Sequence, residues 1–211
     1  FVNRNLRMDN IKVIGFDMDY TLARYHRRAI EELAYRLTIE KLLRLGYPGS
    51  IADLKYDPDF VIRGLTVDKK LGNIVKLDRH NHVGRAYHGK IPLTKEQRKK
   101  HYRKTRLQFA EPRFLSVDTY FSLPEICLLA DLVHYFEARG DRSRDPWQLY
   151  EDTRDCIDEV HRDDSLKSVI KADLPTYIEK DSYLAKTLHK FRSAGKKLFV
   201  LTNSHWEYTN K

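Results

Sequence analysis

Two short apolar runs, one near each end, break a chain that is otherwise written in helical periods. Ile11, Val13, Ile14, Gly15 and Phe16 form the first, and KLFVL at 197–201 forms the second. Each is too short for a helix, and the β-branched character of the first reads as a strand buried on both faces. Both run straight into small polar residues: Asp17, Asp19 and Thr21 after the first, Thr202, Asn203 and Ser204 after the second. Between them, Ile30, Leu33, Ala34, Leu37, Leu42 and Leu45 recur at helical spacing and predict a helix or a broken pair of helices over 29–45, closed by Gly46 and Pro48. A strongly apolar helix opens at Pro124 and closes at Gly140. Amid its apolar neighbours, His134 reads as a hydrogen-bonded core histidine. Asp145 as cap and Pro146 at the first helical position open another helix through Trp147, Leu149, Tyr150, Ile157 and Val160. A last amphipathic helix over 181–193 is turned by Gly195 into the second apolar run.

From 51 to 88 the period shortens. Alternating runs at 65–67, 73–77 and 83–87, separated by DKKLG and DRHNH, predict a hairpin meander, with a further strand at 113–117. His80 and His82 have no third ligand at zinc-site spacing and read as a solvated turn. The helix-to-strand order near the C-terminal end is the α/β signature. The fold expected is a doubly wound parallel-sheet core built from 1–26 and 172–211, interrupted by a mixed α+β insertion over 27–171, with an extension of the core by the meander as the equal alternative.

Composition narrows the class. A hydrophobic fraction of 41% over 211 residues is enough for a buried core. No apolar run approaches the roughly 20 residues of a membrane helix, and the N-terminal stretch lacks the layout of a secretory signal. A soluble cytoplasmic protein is expected. The two cysteines, Cys127 and Cys156, suit neither a disulfide framework nor a zinc site. The net charge of +9 favours anionic ligands. Much of it lies at 94–106 (TKEQRKKHYRKTR), where Tyr102 is the lone aromatic, so the stretch reads as a solvated helix face rather than a nucleic-acid surface.

Asp17 and Asp19 would leave the C-terminal edge of a parallel sheet, where open α/β folds place their ligands, and two carboxylates so close suggest a cation. Taken alone, D-x-D carries little weight against ordinary turn residues; the second apolar run ending in small polar residues raises it. As a bare tripeptide, Thr202, Asn203 and Ser204 read first as a helix cap. Arg154 and Asp158, four apart on one helix, make at least a surface ion pair worth about 0.3–0.5 kcal/mol.

FDMDYT followed far downstream by LTNS resembles the first two motifs of the haloacid-dehalogenase-like (HAD-like) hydrolases. More narrowly, FVNRNLRMDNIKVIGFDMDYTLARY, RLGYP, RGLTVDKKLGNIVKLD, FSLPEICLLADLVHYF and TRDCIDEVH resemble the cytosolic purine 5'-nucleotidases that hydrolyse IMP and GMP, over nearly the whole chain. The resemblance implies a HAD-like, Rossmannoid core and magnesium-dependent hydrolysis of purine nucleoside 5'-monophosphates through an aspartyl-phosphate. It makes Asp17 the nucleophile and a Mg2+ ligand, and Asp19 a backbone ligand that also serves as acid and then base. A nucleoside leaves as a poor alkoxide and needs a proton, so an Asp at 19 points to a phosphatase. Thr202 and the Asn203 N–H would hold phosphoryl oxygens. Phe121 matches the aromatic that stacks on the base, Arg154, Asp158 and Lys167 match contacts to the purine ring and its oxo group, and His161 matches another pocket residue. Asp158 would accept from the N1–H of hypoxanthine or guanine, which adenine lacks. A homotetramer in purine metabolism is also implied, with a purine nucleotide as substrate and no membrane or nucleic-acid partner.

Aligned on Phe121, Gln108 and Asp118 stand where the family's allosteric site has an Arg and an Asn, which speaks against activation by nucleotides. The superfamily also needs a later Lys and later acids, so the 211 residues read as the N-terminal portion of a longer protein, with the C-terminal part of the core missing. The competing reading is a non-enzymatic module, either a phosphatase-like fold or a basic nucleic-acid binder using 94–106.

Overall fold

A computed structural model describes residues 7–103, 107 and 111–210. The chain runs β1 (Val13–Phe16), β2 (Arg24–Tyr25), α1 (Arg27–Arg44), β3 (Thr66–Asp68), β4 (Asn73–Leu77), β5 (Val83–His88) and β6 (Ile91–Pro92). It continues through α2 (Lys95–Tyr102), β7 (Phe114–Ser116), α3 (Ser122–Ala138), α4 (Pro146–Arg162) and α5 (Ser165–Ala172). Last come α6 (Leu174–Tyr177), β8 (Ile178–Glu179), α7 (Leu184–Ser193), β9 (Lys197–Val200) and α8 (Trp206–Thr209). These elements form two compact units, one of residues 1–30 with 167–211 and the other of residues 31–166.

In the first unit β1 and β9, the two apolar runs, pair in parallel from Val13↔Lys197 to Phe16↔Val200. The amide of Leu201 continues the ladder to the Phe16 carbonyl at 2.8 Å. Gly15 lets the Phe199 ring lie across β1: a Cβ on it would stand 2.5 Å from the tip of that ring, which would have to move aside. Lys196 Nζ donates to the carbonyls of Met8 and Ile11, each at 2.7 Å, and so pins the segment leading into β1. The expectation that β1 is buried on both faces is corrected: Val13 is 52% and Phe199 48% exposed. Among the described residues β1 and β9 form a two-stranded sheet of their own. A second, antiparallel pair joins β2 to β8, with Tyr25 opposite Ile178.

The second unit holds a five-stranded antiparallel sheet in the order β6-β5-β4-β3-β7. This is the expected meander, with β7 added beside β3. The fold is therefore mixed α/β, and among the described residues parallel pairing of named strands is confined to β1 and β9. The core centres on α3, where 13 of 17 residues are buried, including Ile126, Leu128, Leu129 and Leu132. Helix α4 packs on α3 through Leu149, Tyr150 and Cys156. Fully burying one such Leu stabilises by about 1.5–3 kcal/mol, so this helix dominates the unit. His134 corrects another expectation: it is exposed, on the strip where the otherwise apolar α3 meets solvent.

Buried charge is paired. Asp68, fully buried, accepts from Arg113 Nε at 2.7 Å and Nη2 at 2.6 Å and from the Tyr102 hydroxyl at 2.9 Å, tying β3 to β7 and α2. Lys41 of α1 pairs with Glu159, at 2.6 Å, and with Asp163, holding α1 to the end of α4. Cys127 and Cys156 are buried, unpaired thiols, and burial pushes both up to about 12. Among the described residues no helix is long and apolar enough to cross a membrane.

Candidate active site

The register of β1 on β9 decides what meets at their C-terminal ends. With Phe16 opposite Val200, Asp17 emerges beside Leu201, one residue before Thr202. Asp17 is exposed. Its Oδ1 accepts the Met18 amide at 2.7 Å, while Oδ2 has no protein partner among the described residues. The chain then winds tightly: the amides of Thr21, Leu22 and Ala23 all point at the Met18 carbonyl, at 3.3, 3.0 and 2.9 Å, and Tyr20 takes the left-handed conformation at φ 56°. This turn carries Asp19 back over the strand ends.

Asp19 is held on both oxygens. Tyr25 donates to Oδ1 at 2.6 Å, and Ser204 Oγ makes a longer contact of 3.4 Å to Oδ2. The Tyr25 oxygen lies 2.9 Å from that of Tyr208 on α8. Burial, followed by the hydrogen bond to Asp19, raises the Tyr25 phenol well above its ordinary range, so it remains a donor. Thr202 Oγ1 accepts the Ser204 amide at 3.0 Å, and Asn203 is exposed. The helix that follows is entered through His205 without a side-chain cap, so Thr202 closes a turn of its own rather than capping α8. Lys167 belongs to this unit, with Nζ 5.7 Å from the centre of the Tyr208 ring. An open cavity of about 670 Å³ borders Tyr25 and Tyr208, with Met18, Leu22, Leu174 and Ile178 among its apolar walls and His26 and Lys180 among its polar ones.

The second unit gathers four of the other expected residues. Phe121 lies just ahead of α3 and meets the His161 ring edge-on, 6.2 Å between centres. His161 Nδ1 sits 2.7 Å from the Ile157 carbonyl, which fixes that nitrogen as a donor. Arg154 donates through Nε to Asp158 Oδ2 at 3.1 Å, as its spacing predicts. It also reaches across to α3, where Nη1 meets Glu125 Oε2 at 3.0 Å. Glu125 is 1% exposed, and its Oε1 has no hydrogen-bond partner among the described residues. Burial raises its acid above the usual carboxylate range, against the pull of Arg154. Arg154 is therefore more than half of a surface pair.

The profile of the 5' nucleotidase family matches residues 1–211. The chain belongs to that family. It is 37% identical over 215 residues to a 5'-nucleotidase domain-containing protein of Dictyostelium discoideum, covering all of this chain and 36% of that protein. It is 30% identical over 222 residues to 5'-nucleotidase domain-containing protein 2 of Rattus norvegicus, covering all of this chain and 40% of that protein. The chain thus spans well under half the length of these relatives.

In this 5'-nucleotidase family chain, Asp17, Asp19, Thr202, Asn203 and Lys167 lie in the first unit, and Phe121, Arg154, Asp158 and His161 in the second. Three residues that sequence reasoning passed over are structurally central: Tyr25, Tyr208 and Glu125. Glu125 had a usable signal, an acid set among apolar residues in the first turn of a helix, four residues after Phe121 and so on its face. Tyr25 and Tyr208 had none, because their hydroxyls meet only through the fold. His80 and His82 are exposed, as a solvated turn requires, and among the described residues no group of three or more His, Cys, Asp or Glu is placed to hold a metal. Lys95, Lys99 and Lys100 of α2 are exposed and Arg98 is half-buried, while Lys104, Thr105, Arg106 and Gln108 lie outside the described residues. Asp118 accepts from Ser116 Oγ at 2.6 Å.

Proposed function

We propose that this chain carries the nucleophile-bearing part of a hydrolase acting on purine nucleoside 5'-monophosphates, IMP and GMP, through an aspartyl-phosphate on Asp17. The observation that carries it is the parallel register that puts an exposed carboxylate, with one oxygen unpartnered among the described residues, beside the Thr202–Asn203–Ser204 turn. Asp17 attacks phosphorus, and the bond from phosphorus to the nucleoside O5' breaks. Asp19 gives its proton to the departing alkoxide, then takes one from the water that attacks phosphorus and frees Asp17. Thr202 and the Asn203 amide hold phosphoryl oxygens as charge builds.

The donors suit magnesium, which takes hard oxygens and is commonly held by one or two carboxylates with water and substrate phosphate. Asp17, through its carboxylate, and Asp19, through its backbone carbonyl, would hold it. When bound, it cancels the repulsion between carboxylate and phosphate ester. Purine selectivity is assigned to Phe121, Arg154, Asp158, His161 and Lys167, with Asp158 discriminating against adenine. The test is phosphate release by the full-length protein from IMP, GMP and AMP, with magnesium and with a chelator. Release from IMP and GMP that needs magnesium and vanishes in Asp17→Asn is expected. Turnover that survives in Asp17→Asn would overturn the assignment.

A further inference from the structure

The tight turn after β1 places the Asp19 carboxyl where hydroxyls on two elements can grip it. Tyr25 takes Oδ1 at 2.6 Å, leaving Oδ2 on the side of Ser204, at 3.4 Å. A phenol has one hydrogen to give, and Tyr25 gives it to Asp19. The 2.9 Å contact between Tyr25 and Tyr208 must then run the other way, with Tyr208 donating. The direction is fixed: Tyr208 to Tyr25 to Asp19. Tyr25 is itself immobilised, being 7% exposed and paired through β2 to Ile178 of β8. Tyr208 stands on α8, four residues after Ser204, so the turn proposed to bind the phosphoryl group also presents the hydroxyl that fixes Tyr25. The circuit from Asp19 through Tyr25, Tyr208 and the 204–208 backbone returns to Asp19 through Ser204.

We propose that Tyr25, held by Tyr208, is a positioning residue for Asp19, turning Oδ2 toward the Thr202–Ser204 turn so that this oxygen exchanges the proton with the leaving group. The assignment rests on the phosphomonoesterase reading. It does not make Tyr25 catalytic, because the phenol touches the acid and not the substrate. The same arrangement explains why a tyrosine buried to this degree keeps its hydroxyl in a polar pairing instead of turning it to water.

The leaving group separates positioning from mere structural support. An alkoxide needs a proton as it departs, whereas a thiolate, far less basic, does not. The full-length protein and its Tyr25→Phe variant are compared on IMP and on the inosine ester with sulfur in place of the bridging 5' oxygen, which offers the same base. kcat/KM is the quantity to read, since it covers steps only as far as leaving-group departure and excludes later hydrolysis of the aspartyl-phosphate. Tyr25→Phe is expected to lower kcat/KM for IMP by on the order of tenfold, less than the roughly 10²–10⁴ that loss of the acid–base catalyst itself costs, and to lower it much less for the thio ester. Tyr208→Phe, which keeps the Tyr25 hydroxyl, shifts the same ratio in the same direction by less. A ratio of IMP to thio ester that stays at its wild-type value in both variants overturns the proposal, whether or not the rates themselves fall. Asp17→Asn, run in parallel, keeps the two ideas apart: turnover surviving there refutes the hydrolytic reading rather than the role of Tyr25.

Discussion

Replacing Arg154 with Met should destabilise the protein in a pH-dependent way, because of what it leaves behind. Glu125 is 1% exposed, with one oxygen on Arg154 at 3.0 Å and the other unpartnered among the described residues. Burial already lifts its acid above the usual range, and Arg154 is the group pulling it back. A carboxyl that binds its proton more tightly when folded contributes stability that is complete below its unfolded value of about 4.3 and is lost as pH rises through the folded one. Arg154→Met removes the opposing pull, so that loss grows and extends to higher pH. Breaking a buried ion pair costs about 3–5 kcal/mol. Arg154 is 43% exposed, so screening reduces the expected cost to about 1–3 kcal/mol near pH 8, against a small difference near pH 4. Loss of the exposed pair with Asp158 adds only about 0.3–0.5 kcal/mol. Urea unfolding followed by circular dichroism across that range measures it, and adding Glu125→Gln should remove most of the pH dependence. A destabilisation by Arg154→Met that is the same at both ends would refute the reasoning.

Asp19→Asn should lower turnover of IMP by on the order of 10²–10⁴ through loss of acid–base catalysis, and steady-state kinetics giving a near wild-type rate would remove Asp19 from that role. Asp158→Asn should narrow the preference for IMP and GMP over AMP, since an amide donates as well as accepts. If the ratios of kcat/KM do not move, Asp158 serves only as the partner of Arg154. Asp68→Ala should cost about 3 kcal/mol by leaving Arg113 and Tyr102 without their shared acceptor, a change read from the urea midpoint, and a cost under about 1 kcal/mol would contradict it.

The helices and the meander were legible because period carries them. Asp145 with Pro146 marked the start of α4, and the alternation at 73–77 and 83–87 marked β4 and β5. The apolar run at 13–16 announced a strand but not its exposure, because burial depends on what lies beside it in space. His134 misled for a related reason: apolar neighbours along a helix do not share its face. The short β2, β8 and α6 carry too few residues for any period, yet β2 and β8 fix Tyr25. The candidate site was legible where its carboxylates are concentrated in a few adjacent residues, as in Asp17-Met18-Asp19. Partners 6 and 183 residues away, which Tyr25 has in Asp19 and Tyr208, were not.

The covalent role of Asp17 is tested most directly by mixing the full-length protein with IMP and magnesium, quenching in acid within milliseconds and mapping the peptides by mass spectrometry. The account predicts a phosphoryl group on the peptide bearing Asp17, acid-stable, released by hydroxylamine, and absent in Asp17→Asn. Steady turnover of IMP with no phosphorylated peptide at any quench time, or with the phosphoryl group on another residue, would contradict it.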